Sequence, residues 1–342
     1  MKNFKLKTDG GCYVIAEAGL NHNGSIGIAR KLIDVAAVAG ADAVKFQKRT
    51  VSKLAVKTTL DAPDERFPEF GKTYREIREY LEFSADQYLE LKLYSESKGL
   101  DFIVTAFDVD AFNFLEALGV ENYKLASHSL TNLELLEYLA TKGKTTILST
   151  GMADLEEIDR AVEIFRSHNS PLALMHCVSA YPTPLHECNL AMLDVLKNRY
   201  QLITGYSGHE LGFLPSVTAV VLGAQLIERH FTMDKTMIGF DHKMSLEPDE
   251  LIAMVRDIRN VQKIIGTGEK LVSETEWITR RKYHVSAASA TDISKGTELK
   301  EAMVTYRNPG TGIPAKLMYA IIGKRAVCDI PVDTLLSADM FK

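Results

Sequence analysis

Two histidines, two lysines and a glutamate stand at the ends of short apolar runs, where a strand would leave a protein core. His209 follows GYSG, His230 closes LIERH, Lys45 lies in DAVKFQ, Lys124 in NYKLAS, and Glu17 in CYVIAEAG. Hydroxyls occupy equivalent places: Thr105, Ser127, Ser149, Ser179 and Ser207. Ammonium groups supply charge and hydroxyls supply directional donors, a combination that suits a phosphate and a carboxylate. Two imidazoles with coordination positions left open suit a catalytic divalent metal that polarises a carbonyl. Glu17 is of a type to orient or deprotonate a water. After His230 the chain runs into TMDKTMIGFDHKMSLEP, which brings Asp234, Asp241 and His242 close behind; Asp234 reads as solvated loop. His176 stands at a further strand end. Taken singly, a serine at a strand end caps the next helix, a lysine is solvated, and a histidine is satisfied by a backbone carbonyl. Their convergence on one rim is what points to a site.

That convergence needs a scaffold, and the sequence predicts one. Eight short β-rich runs (CYVIAEAG, DAVKFQ, DFIVTAF, NYKLAS, TTILST, LALMHCV, QLITGYS and QLIERHF) alternate with helical segments such as IARKLIDVAAVAG and DLEEIDRAVEIFRSH. Glycine follows several of the helical segments, as a helix end favours. Strand–helix alternation implies parallel pairing with right-handed crossovers, and eight such units in about 250 residues match a (β/α)8 TIM barrel whose strand C-termini carry the site. A doubly wound open sheet lacks its G-x-G-x-x-G turn here. The connection from Lys48 to about Phe83 is long enough to be a functional lid. The expected organisation is a barrel over residues 1–266, a linker over 267–283, and a small, mostly β domain over 284–342.

The totals exclude several classes. A net charge of −5 argues against nucleic-acid or anionic-membrane binding, so an anionic substrate must be held by local cations. Cys12, Cys177, Cys188 and Cys328 form no C-x-x-C and read as reduced thiols. The N-terminal MKNFKLKTDGG has no apolar signal core, and no run reaches the roughly 18 apolar residues of a membrane helix. The expectation is a soluble cytoplasmic protein.

The motifs IAEAGLNHNG, GADAVKFQ, ILSTGM, HCVSAYPTP, GYSGHELG and ERHFT resemble, in order, those of the sialic acid synthase family, and YRNPGTGIPAK…IIGKRAV resembles its antifreeze-like (SAF) domain. The resemblance implies a (β/α)8 barrel followed by a SAF domain. It also implies a homodimer in which the SAF domain of one subunit covers the barrel mouth of the other. The implied reaction condenses phosphoenolpyruvate with the open-chain aldehyde of an amino sugar to give a 2-keto-3-deoxy nonulosonic acid and phosphate. By the same resemblance Lys45, Thr105, Lys124, Ser127, Ser149, Ser179 and Ser207 grip phosphoenolpyruvate, with Ser179 where the family often has Asn. His209 and His230 hold the metal, usually Mn2+, with Mg2+ or Co2+ as alternatives. Glu17, Gln47, Tyr181 and Asp241, together with His242, face the sugar and the reacting water, and Asn308 reaches it from the SAF domain.

Three departures from the family pattern fall on the acceptor side. Ser129 stands where the family has Glu, Asn308 stands where it has Arg, and the long second connection lacks a match for a sugar-holding Asn. N-acetylmannosamine is the default acceptor; a diacetamido-trideoxyhexose or a non-acetylated aldose is the alternative, and a non-catalytic sugar-binding protein is the reading outside enzymology. A phosphorylated acceptor would call for a second cluster of cations, and the sequence shows none.

Overall fold

In the computed structural model, which describes residues 11–342, the chain divides into two compact units that meet in sequence at Gly266 and Thr267. The N-terminal segment read above for a signal sequence lies largely outside the described residues. The first unit is a closed barrel of eight parallel strands: β1 (Tyr13–Gly19), β2 (Ala43–Lys48), β3 (Asp101–Ala106), β4 (Tyr123–Leu125), β5 (Thr146–Ser149), β6 (Leu172–Cys177), β7 (Ile203–Gly208) and β8 (Leu226–His230). Among the described residues no helix is long and apolar enough to cross a membrane.

Strand side chains alternate between faces, and here the alternation sorts the sequence into two cores. Val14, Ala16 and Ala18 of β1 join the large cluster between barrel and helices, with Val44, Phe46, Val104 and Leu148. The other parity, Tyr13, Ile15, Ala43, Ile103, Ile147, Ala173, Met175 and Leu226, forms a separate cluster that plugs the bore. Continuing that inward parity toward the strand C-termini gives Glu17, Lys45, Thr105, Lys124, Ser149, Ser207, Glu228 and His230. The bore is therefore apolar below and polar above. Register fixes the neighbours: Glu17 lies opposite both Lys45 and His230, and Ser207 lies opposite Glu228.

Outside the bore, one ion pair holds the two strand ends that carry the histidines. Arg229, buried between Glu228 and His230, is paired with Glu210, which follows His209. Its guanidinium also donates to the Glu210 carbonyl at 2.7 Å and to Ser216 Oγ at 3.3 Å, while the Tyr206 hydroxyl donates to Glu210 Oε2 at 2.9 Å. A buried pair contributes little net stability, yet either partner left alone is costly.

The long second connection contains the short helices Val51–Leu54, Lys57–Leu60 and Tyr74–Tyr80. It packs Ile77 and Leu81 with Leu20, Phe67, Phe70 and Phe240 into a small apolar cluster, so the segment is anchored to the loop after β8. The second unit, taken by itself, has a two-stranded antiparallel sheet, β9 (Ser286–Ser289) and β10 (Val304–Arg307). Ala287, Ile293, Leu299, Ile321, Leu336 and Phe341 make its core. Within the segment expected to be a linker, Glu274–Tyr283 forms a helix opened by a Ser273–Glu276 capping box. That S-x-x-E signal is in the sequence, but the helix buries no residue and so shows no apolar stripe.

Arg229→Met should lower the unfolding free energy by about 3–5 kcal/mol by stranding the Glu210 carboxylate. Adding Glu210→Leu should recover much of the loss. Urea unfolding of the wild type, both singles and the double checks this; equal stability of single and double variants would refute the clamp.

Candidate active site

A cavity at the C-terminal end of the barrel gathers Glu17, Lys45, Gln47, Thr105, Lys124, Ser127, Ser149, Ser179, Tyr181, Ser207, His209, His230 and Asp241. These are the barrel residues singled out from the sequence, except one. His242 is fully buried beside the cavity, its Nδ1 2.7 Å from Thr232 Oγ1 and its Nε2 3.2 Å from Asn23 Oδ1, so its ring holds the loop after β8 instead of facing a sugar. Asn308 belongs to the second unit and is exposed there, beside Pro309. Asp234 is exposed and accepts from Thr236, as a solvated loop residue should. His176 bonds the Cys188 carbonyl at 2.8 Å and does not line the cavity.

The floor is a compact set of charges. Lys45 Nζ lies 2.8 Å from Glu17 Oε2 and 3.6 Å from Glu228 Oε1, and donates to Thr105 Oγ1 at 2.9 Å. Lys124 Nζ donates to Ser149 Oγ at 2.6 Å and to the Leu125 carbonyl at 3.0 Å, with Glu228 Oε1 at 3.8 Å. All four ionised groups are at most 5% exposed. Burial alone would push Glu228 up, but Lys124, Lys45 and His230 together bring it down to about 2. Lys45, with two carboxylates beside it, is raised despite burial, whereas burial lowers Lys124, which has Glu228 at longer range and Lys45 opposing it. Glu228 was missed in the sequence reading; the E of ERH, two residues before a strand-end histidine and of the same parity, was the signal.

Hydroxyls line the wall toward β4–β6. The Gly151 N–H donates to Ser127 Oγ at 2.9 Å, which leaves the serine proton free to point elsewhere. A Cβ on Gly151 would come within 2.3 Å of Ser179 Oγ and 2.9 Å of Ser127 Oγ, so glycine keeps the two hydroxyls close. The opposite wall carries the imidazoles, with ring centroids 5.6 Å apart. His209 Nδ1 donates to the Val178 carbonyl at 2.9 Å, which leaves Nε2 as a free lone pair, and burial lowers its pKa to about 3 so that the ring is neutral. His230 Nδ1 is buried without a hydrogen-bond partner, with Asp241 Oδ2 3.8 Å away. Gly19, at φ +53°, leaves room beside that ring: a Cβ there would stand 3.2 Å from His230 Nδ1. Among the described residues no three His, Cys, Asp or Glu side chains cluster as a metal site. The chain therefore offers two imidazole nitrogens, His209 Nε2 and His230 Nδ1, and this set fits a divalent ion that completes its shell with water and substrate.

Toward the second connection, Gln47 Nε2 donates to Glu17 Oε1 at 2.6 Å and Gln47 Oε1 accepts from Arg49. Arg49, Arg78 and His128 line the cavity here. The sequence showed no second cation cluster because these residues come from the end of β2, a lid helix and the loop after β4. The fold, not the spacing, brings them together.

The chain matches the NeuB family over residues 32–270 and the SAF domain over residues 284–342. It is 36% identical to the N,N'-diacetyllegionaminic acid synthase of Legionella pneumophila, covering 95% of this chain and 93% of that protein. It is 35% identical to the human N-acetylneuraminate-9-phosphate synthase, covering 96% and 92%. The crystal structure of an N-acetylneuraminic acid (sialic acid) synthetase from Leptospira borgpetersenii, solved with citrate, superposes with a TM-score of 0.69 at 38% identity, covering 79% of this chain and 91% of that one.

Glu228→Gln should leave two buried ammonium groups facing one carboxylate and cost about 3 kcal/mol. Inorganic phosphate should raise the melting temperature of this variant more than that of the wild type; equal shifts would mean that the bore does not bind anions. In the wild type the Glu228 pKa is depressed, so its contribution is present above its ordinary value of 4.5 and fades as pH falls toward 2.

Proposed function

The chain belongs to the NeuB family, and from that premise we propose that this synthase-type transferase condenses phosphoenolpyruvate with the open-chain aldehyde of an amino sugar. The product is a 2-keto-3-deoxy nonulosonic acid, and phosphate is released. The observation that carries the reading is the pairing, in one cavity, of a buried two-lysine floor with two buried imidazoles. A dianion and an aldehyde require opposite kinds of help, and these two walls supply them.

In this reading Lys45 and Lys124, with Thr105, Ser127, Ser149, Ser179 and Ser207, hold the phosphate and carboxylate of phosphoenolpyruvate. The lysines and hydroxyls meet a tetrahedral phosphate with charge and direction and cost no reorganisation as charge shifts. His209 and His230 hold a divalent ion, manganese in our reading with magnesium or cobalt as substitutes; when bound it supplies Lewis-acid polarisation of the aldehyde. Glu17, ion-paired to Lys45 and fixed by Gln47, orients the water that adds at C2 and accepts its proton. C3 of phosphoenolpyruvate forms the new bond to the aldehyde carbon, and the resulting tetrahedral adduct loses phosphate by C–O cleavage. Gln47, Tyr181 and Asp241 face the sugar; the Tyr181 ring lines the cavity 4.2 Å from that of His209. We read the enzyme as cytoplasmic and as a homodimer in which the SAF domain of one subunit covers the barrel of the other, with Asn308 as the candidate contact.

The test is phosphate release from phosphoenolpyruvate with Mn2+ across a panel of aldoses. Turnover with at least one amino sugar is expected, abolished by a chelator. His209→Ala and His230→Ala should each lower kcat/KM by roughly 10³-fold, the several kcal/mol of a metal's charge stabilisation. Release that survives both substitutions and the chelator would sink the metal-assisted reading.

A further inference from the structure

We propose that the acceptor carries a phosphate monoester, held at the lid end of the cavity by Arg49 and Arg78 beside His128. The proposal deepens the reading above and rests on it. Two guanidiniums lie in one cavity wall, and among the described residues neither forms an ion pair. Arg49 is 6% exposed. One of its Nη atoms donates to the neutral amide of Gln47, and the other, Nη1, is buried without a partner. Glu82, one of the carboxylates whose charge reaches Arg49, is already engaged: it takes the Lys48 ammonium at 2.6 Å and the backbone N–H of Arg49 at 3.2 Å. Arg78 has a buried, unpartnered Nε. Both side chains are instead held by their faces. Arg49 stacks over Phe107 at 4.0 Å, and Arg78 lies over Phe240 at 4.2 Å and Tyr74 at 4.9 Å.

Stacking fixes the plane of a guanidinium and leaves its N–H edge available, which is the preorganised fork that a tetrahedral oxyanion accepts. Leaving such donors buried and unmet is costly, so their orientation calls for a ligand. Burial, and after it the charge of Arg78, lowers Arg49 to about 10; an anion between the two arginines would relieve both effects. This cluster is distinct from the lysine floor. Gln47 stands between the two, touching Glu17 on one side and Arg49 on the other. A sugar with its aldehyde at the imidazoles and its far end toward the lid would place a terminal phosphate among the arginines. The phosphate of such an acceptor would stay on the product.

The experiment compares N-acetylmannosamine 6-phosphate with N-acetylmannosamine, and a hexuronic acid as a carboxylate control, in wild type, Arg78→Met and Arg78→Lys with Mn2+ and phosphoenolpyruvate. The wild type should prefer the phosphorylated sugar in kcat/KM. Arg78→Met should reduce that preference by about 10- to 100-fold, the worth of one or two charge-assisted hydrogen bonds, while the KM for phosphoenolpyruvate stays put. Arg78→Lys should restore part of the preference. Calorimetry of the 6-phosphate against full-length protein saturated with phosphoenolpyruvate, without metal, reads the subsite apart from turnover. Wild-type indifference to the phosphate, a preference for the uronic acid, or a loss in Arg78→Met confined to the KM for phosphoenolpyruvate would each overturn the proposal. Turnover with no sugar, alongside tight binding of the 6-phosphate lost in Arg78→Met, would instead overturn the proposed reaction and leave the subsite standing.

Discussion

Two lysines and two glutamates occupy the upper bore of the barrel, and the rest of the site depends on their balance. A buried ammonium without a counter-ion would deprotonate or disrupt the bore. Glu17 and Glu228 prevent that, Glu17 at 2.8 Å from Lys45 and Glu228 at the longer distance of 3.8 Å from Lys124. The apolar plug beneath, from Ile15 to Leu226, removes water from one side and makes these charges matter. The hydroxyls around Lys124 and the glycine at Gly151 then convert a charged floor into a shaped one.

The imidazole wall is governed from outside the barrel. The Arg229–Glu210 pair sits one residue from each histidine and faces the helices, so what positions His209 and His230 touches neither of them. The Val178 carbonyl adds a tautomer lock on His209. Rigid strands with alternating faces allow this division: one parity carries chemistry and the other carries its support.

Much of this was legible in the sequence. Eight apolar runs separated by helical segments give the barrel, and because inward parity and strand ends are both readable, Lys45, Thr105, Lys124, Ser149, Ser207 and His230 could be named before any coordinates. The reading failed where position depends on more than parity. His242 lies next to Asp241 but in a short 3-10 turn, where neighbouring side chains diverge, and its ring went to Thr232 and Asn23. Glu228 looked like an ordinary polar residue in an apolar strand, since nothing in sequence reveals which lysines a carboxylate will meet across a bore. Arg49, Arg78 and His128 come from three separate segments, and only closure of the lid over the barrel makes them neighbours.

The two ends of the cavity rest on unequal foundations. The lysine floor and His230 belong to strands of the closed barrel, and His209 directly follows one. Arg78 rides on a seven-residue helix in a connection anchored chiefly by a patch of aromatic and aliphatic side chains around Phe240. In the proposed reaction, changes of length or composition between Val51 and Phe83 would therefore alter which sugar is admitted while leaving the strand-borne residues in place. A scaffold divided in this way can diversify its repertoire of acceptors without reinventing its reaction.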